Sequence, residues 1–503
     1  MKNPIFIAAG VSIVAIAGLW YLLKEDSANS GDLDLYCAMG MNKPMQEIID
    51  AYEDEYGIKI VTHFNGSGTL LTEIKAAGKA DLYLAADVSY MESAEKKGIK
   101  VREQFHIADQ RPVIAVHKGN PLGIETLDDL IKTEVNLYLA DPESAAIAKV
   151  ARKLLGDEAW DKLWAARETT RDTVSALAND VKREENGASI IWDATADQYK
   201  DIEYITVPEF EASKNAITLA VLDSSQHPTS ALRFARFVTA RDKGLKTFEK
   251  FRYKTDPGDL WADGKPEIKF YGGGLNEDAV RETIKAFERR EGCKVLTTFT
   301  GCGELVGLMN LLGQRPDIYF SCDRSYMTKV QDLFYEPIDV SGTDIVLIVV
   351  SGNRHQIHSL RDLADATDIK IGLCDSEISA LGELSRNLLK KLGHLGAIRE
   401  KLYDEPATAP ALVAKVAIDG LDAALVYRAN AQAMQQAGQI EIIDIDDPAA
   451  RAFQNIAIGR FSKHSHLSRR LIDAIVSGPS RKKFKTLGFD WLADESERKA
   501  VGR

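Results

Sequence analysis

The chain is poor in cysteine, with five in 503 residues, and no two of them form a Cys-x-x-Cys pair. These spacings give no support to a structural zinc site. No Gly-x-Ser-x-Gly elbow, no His-Glu-x-x-His and no Gly-Lys-Ser/Thr phosphate loop occurs. Common hydrolase, zinc-protease and nucleotide-binding signatures are therefore missing. His464-Ser-His466 has no third ligand at metal spacing, so neither a metal nor a cofactor is expected. Basic excess is also lacking: 63 Lys and Arg stand against 75 Asp and Glu, a formal charge of −12. A chain this acidic is a poor general binder of nucleic acid. What is present is a normal globular balance, 45% hydrophobic and 27% charged. That excludes a disordered chain, a collagen-like fibre and a small disulfide scaffold.

Long apolar runs are absent but for one. Residues Ile5 to Leu23 carry no charge over 19 residues. As a helix that run would reach about 29 Å, near the hydrocarbon thickness of a bilayer. Trp20 and Tyr21 stand at its end, where interfacial aromatics collect, and Lys24-Glu25-Asp26 follow. The expectation is an uncleaved anchor and linker over residues 1–32, with a cleaved signal peptide as the competing reading.

The organising feature is a duplication. Asp81–Met91 reads DLYLAADVSYM and Asp317–Met327 reads DIYFSCDRSYM, 236 residues apart. Phe64–Gly68 (FNGSG) pairs with Phe299–Gly303 (FTGCG), Asp141-Pro-Glu143 with Asp375-Ser-Glu377, and Ala188–Trp192 with Ala423–Tyr427. The offset stays within 234–236. A period this long is not a solenoid but two whole domains, expected at 33–258 and 265–492. The joint between them is rich in turn formers, Thr255–Asp259 and Asp263–Pro266.

Within each domain, short apolar runs alternate with segments of helical periodicity. Asp34–Cys37, Ile58–Val61, Asp81–Ala85 and Val113–Val116 read as strands, and Met45–Tyr56 reads as a helix stopped by Gly57. This predicts an α/β fold with a largely parallel sheet and ligands beyond the carboxyl ends of the strands. The loops in question are Ala38–Lys43, Asn65–Thr69, Asp141–Ala148 and Trp192–Thr195. Asn65-Gly-Ser-Gly-Thr69 follows a strand and opens a helix, a recipe for anion binding through free N–H groups and the helix dipole. Ser67 either donates to such an anion or caps the helix. These loops carry no Arg or Lys except Lys43 at one edge. Neutral donors of this kind suit a fully ionised oxyanion and leave a protonated one without an acceptor. Asp141 and Glu143 are expected to cap the helix that follows them.

In this order of segments the chain resembles the molybdate-binding proteins, the extracytoplasmic receptors of molybdate and tungstate uptake. The resemblance rests on the GSGT loop, the AAD-x-x-Y-M segment, the Asp-Pro-Glu turn and the Ile-Ile-Trp strand end, and it covers nearly all of both repeats. It implies two tandem two-lobed periplasmic-binding-protein (type II) domains behind the N-terminal helix. It also implies a dianion held by two hydroxyls, two backbone amides and a tyrosine. In the first domain these roles fall on Gly40, which keeps only its amide, Ser67, the backbone near Ile147 and Val174, and Trp192. An indole N–H still serves an oxyanion; the competing role of Trp192 is hinge packing. In the second domain they fall on Leu275 (or Gly274 after a shift of one), Cys302, the backbone near Leu381 and Ala409, and Tyr427. Cys302 is a weaker donor than serine and reads equally as a small buried hydrophobe. A disulfide between Cys302 and Cys322 is left open.

The resemblance further implies an ABC transporter permease as partner, with the bulk of the chain periplasmic and its anchor in the cytoplasmic membrane. No enzymatic role is expected. No Tyr-Tyr pair of the iron-receptor kind occurs. The rival reading is a degenerate tandem module that senses or docks without tight oxyanion binding.

Overall fold

The computed structural model describes residues 31–493. The apolar run at Ile5–Leu23 lies outside them. Among the described residues no helix is long and apolar enough to cross a membrane. The chain divides into two compact units between Trp261 and Ala262.

The first unit has two lobes, each built on its own sheet. One sheet runs, in spatial order, Lys254–Thr255, Val101–Gln110, Asn215–Leu222, Leu82–Ala85, Leu33–Ala38 and Ile60–Asn65. The other runs Thr169–Arg171, Asn136–Ala140, Gly187–Trp192, Pro112–His117 and Ile202–Ile205. Leu33–Ala38 is parallel to both its neighbours, and Asn136–Ala140 likewise. The expectation of a largely parallel sheet needs correction, however. Asn215–Leu222 and Pro112–His117 run antiparallel to every strand they touch. The reason is topological. These strands lie where the chain passes from one lobe to the other, and they enter each sheet from the opposite end.

Local chemistry explains the elements near the cleft. Asn42–Tyr56 buries Met45, Ile48, Ile49 and Tyr52 on one face, the spacing of an amphipathic helix. Gly57 ends it at φ 66°, a left-handed conformation that glycine adopts without a Cβ penalty. Leu35, Leu82 and Leu84 are fully buried in the strands against which such helices pack.

The second unit repeats this plan with one change at the crossing. In the first unit the crossing strand is interrupted at one residue, Arg111, between Val101–Gln110 and Pro112–His117; its carbonyl accepts the Asp193 N–H and its own N–H donates to Asp193 Oδ1. In the second, the position opposite Tyr427 is Ile345 instead of a proline, and one strand of 13 residues, Ile338–Val350, serves both lobes. Its early part pairs with Arg451–Ile458 and its later part with Ala423–Tyr427 and Ile440–Ile443. The two lobes of this unit therefore share one continuous sheet of ten strands.

Candidate functional site

All five positions expected in the first unit meet around one small cavity. It is lined by Ala38, Met39 and Gly40, by Asn65, Gly66 and Ser67, by Ala86, by Ala145, Ala146 and Ile147, by Thr173 and Val174, and by Trp192. None of these side chains is charged. The cavity measures about 20 Å3, far below the ~300–1,000 Å3 of an ordinary small-molecule pocket. It exceeds the ~10–15 Å3 that one water requires. Sugars, amino acids and peptides are too large for it in this closed form.

Its wall is made of helix starts. The 3-10 turn Met39–Met41 leads into Asn42–Tyr56; Ser67–Ala77, Ala146–Leu155 and Val174–Arg183 begin on the other sides. The first N–H groups of a helix have no partner inside it and carry a positive partial charge. Positive potential thus converges on the cavity from neutral atoms.

Ser67 is not the cap of its helix; Gly66 is. Ser67 Oγ instead accepts the buried Ala86 N–H at 3.2 Å, which fills an acceptor position and leaves its proton for a ligand. Tyr83 Oη donates to the Ser67 carbonyl at 2.8 Å and fixes that backbone. Asn65 is spoken for: its side-chain oxygen accepts the Gly66 N–H and its amide donates to Glu73. Trp192 ends the strand Gly187–Trp192 and is almost completely buried against the cavity.

Thr173 and Thr195 were not singled out from the sequence. Thr173 caps Val174–Arg183 through Ala176 N–H, a role its hydroxyl before an apolar helix does signal. Thr195 is buried with no hydrogen-bond partner for its hydroxyl, near the point where a Cβ on Gly40 would stand (3.6 Å). Asp141 differs from expectation. It accepts Glu143 N–H at 2.7 Å and so closes its own turn, while Ala145 begins the next helix without a side-chain cap.

The cleft is shut. Gly68 N–H donates to the Ser144 carbonyl at 2.9 Å, from one lobe to the other. A Cβ on Gly68 would lie 1.8 Å from the Glu143 carbonyl oxygen, and one on Gly66 would lie 2.4 Å from that of Ser144. Lys43 Nζ sits over the Tyr199 ring and Lys149 Nζ over the Tyr90 ring, again between lobes. Outside this closure lies a wider groove of about 820 Å3 holding Lys96, Lys97, Lys149, Arg152 and Lys153, with Glu143 and Asp157. Partial burial lowers the Lys149 ammonium from its usual value.

The family model described as bacterial extracellular solute-binding protein matches residues 33–254 and again 268–490. The chain belongs to that family, in two copies. A Haemophilus influenzae protein named only as a binding protein is 27% identical over 255 residues, 49% of this chain and 98% of its own length. Molybdate-binding protein ModA of Escherichia coli K12 is 29% identical over 233 residues, 42% of this chain and 89% of its own. A Mycobacterium bovis protein of the same name is 26% identical over 186 residues, 37% of this chain and 69% of its own.

The second solute-binding unit keeps the frame and changes the lining. Its 3-10 turn Gly274–Asn276 matches Met39–Met41, which puts Leu275, not Gly274, in the place of Gly40. Leu275 is buried and brings an isobutyl side chain where Gly40 has none. Cys302 opens the helix Cys302–Asn310 as Ser67 opens its own. It accepts the Cys322 N–H at 3.2 Å, the counterpart of the Ala86–Ser67 bond. It is therefore more than a small hydrophobe. Cys302 and Cys322 are both free thiols, with no disulfide between them. Leu381 and Ala409 lie in the first turns of Ala380–Lys391 and Ala409–Ala417. Tyr427 is buried and its hydroxyl has no partner. This cleft is shut by the same device, with Gly303 N–H donating to the Ile378 carbonyl at 2.9 Å.

Proposed function

We propose that the chain is an extracytoplasmic receptor for a tetrahedral oxyanion, molybdate or tungstate, which it delivers to the permease of an ABC-type uptake transporter. The first unit is the receptor. The observation that carries this reading is the small, closed, uncharged cavity walled by helix starts, with Ser67 and Trp192 facing it. Such a wall offers donors and dipoles and suits a dianion that needs only donors. The relatives named for molybdate support the choice of ligand. Phosphate carries a proton near neutral pH and would leave that O–H without an acceptor. Closure removes water around the ion and selects the closed member of an open–closed equilibrium.

Calorimetry on the full chain with molybdate, tungstate, sulfate and phosphate tests this. One equivalent of molybdate or tungstate per chain is expected, because Leu275 and Cys302 remove the first unit's features from the second. Absence of heat with both metal oxyanions would overturn the proposal in favour of a sensor or docking module.

Two further results are expected. Trp192→Phe removes the indole donor and should weaken binding by about 1–3 kcal/mol, whereas Trp192→Tyr should recover part of the loss; both are read by competition calorimetry. The basic groove should act on arrival instead of on affinity. Replacing Lys96, Lys97 and Lys153 with Glu should slow association about tenfold at low salt and much less at high salt. Stopped-flow tryptophan fluorescence reads that rate.

A further inference from the structure

The second cleft pairs two thiols at the point where the first presents a serine hydroxyl and a methyl group. Cys302 replaces Ser67, and Cys322 replaces Ala86. Room for the second sulfur comes from a matching exchange, Gly273 for Ala38. A Cβ on Gly273 would lie 2.0 Å from Cys322 Sγ and 2.7 Å from Cys302 Sγ. Both sulfurs therefore crowd one point and stand less than about 5 Å apart. Two metal–thiolate bonds of the length zinc makes, ~2.3 Å each, can bridge a separation of up to ~4.6 Å.

We propose that this cleft binds a single soft monovalent metal ion, copper(I) in chemical type, between Cys302 Sγ and Cys322 Sγ. Two sulfurs are enough for such an ion, and thiolates select it. Among the described residues there is no group of three or more Cys, His, Asp or Glu that could hold a metal. That set is too small for tetrahedral zinc or an iron–sulfur cluster. Binding releases the two thiol protons to solvent and leaves a bis(thiolate) complex of charge −1, with no change of oxidation state. The surroundings suit that charge. Cys302 starts a nine-residue helix. Its sulfur accepts the Cys322 N–H, and the buried Tyr427 hydroxyl has no protein partner. An oxyanion frame has thereby become one for a soft cation held as an anionic complex.

The test is an anaerobic titration of the reduced full chain with copper(I) against a chromogenic copper(I) chelator. One tightly held equivalent is expected, with a near-ultraviolet sulfur-to-metal absorption band. The variant Cys302→Ser/Cys322→Ala carries the first unit's own residues at both positions; its melting curve reports that it folds. It retains Cys37, Cys293 and Cys374, so any loss belongs to this pair. Losing an outer-shell partner alone costs a metal site ~10–100-fold, so losing both sulfurs should weaken binding by more than ~100-fold. Two outcomes would overturn the proposal. In one, the folded double variant competes for copper(I) as well as the parent. In the other, the reduced parent takes up none while mild oxidation by a small disulfide links 302 to 322, which would make the pair a redox switch.

Discussion

Replacing Gly68 with alanine is expected to weaken oxyanion binding about 100-fold or more without unfolding the first unit. Gly68 lies inside the helix Ser67–Ala77, where alanine is a better helix former than glycine. The open lobe therefore loses nothing. In the closed form the added Cβ would meet the Glu143 carbonyl oxygen at 1.8 Å, and that oxygen belongs to backbone that cannot rotate away. The lobes must then part, and the Gly68–Ser144 hydrogen bond goes with them. Strain of only about 3 kcal/mol in the closed form cuts its population, and with it the apparent affinity, by more than 100-fold. Calorimetry gives the affinity, and small-angle scattering with and without molybdate gives the closure. A variant that binds and compacts as the parent does would show that closure is not held by this contact.

The second large effect is expected for Ser67→Ala. Two losses combine: the ligand loses a hydroxyl donor, and the buried Ala86 N–H loses its acceptor. An unpaired buried group costs about 1–3 kcal/mol. Affinity for molybdate should fall about 5- to 150-fold, and the ligand-free melting temperature should fall as well. Ser67→Thr keeps the hydroxyl and should restore binding more than stability if the methyl crowds the wall. A Ser67→Ala protein that melts early yet binds normally would reduce the hydroxyl to a structural role.

No titratable side chain lines the cavity. Affinity should therefore stay flat across about pH 6–9. Only protonation of the ligand itself should weaken it at lower pH. A histidine-like step in affinity against pH would contradict the neutral wall.

Much of the site could be read from the sequence because the duplication marks it. Four short segments keep their spacing within 234–236 residues, and three of them supply the cavity wall, at Asn65–Ser67, Ala86 and Trp192. Position in an α/β fold then says which ends of the strands they occupy. What could not be read depends on distances between segments far apart in the chain. Asp141 looks like a helix cap until its carboxylate is seen to accept the Glu143 N–H within its own turn. Gly68 looks like a flexible loop residue, yet it is helical, and its lack of a side chain matters to Glu143 in the other lobe. The exchange of Ala38 and Ala86 for Gly273 and Cys322 involves residues 48 or 49 positions apart, and no local pattern connects them. The antiparallel crossing strands were missed for a related reason: periodicity reports burial, not direction.

The break at Arg111 and its absence at Ile345 give the two halves of the molecule different mechanics. In the first unit the passage from lobe to lobe turns on a single residue outside both strands, Arg111, pinned to Asp193. The second must flex an unbroken strand from Ile338 to Val350. A loose joint lets cargo go quickly each time the jaws part; a stiff one keeps what it has caught. A difference in residence time, more than in affinity, is the expected signature of two such joints, read by the release rate of bound ligand from each unit.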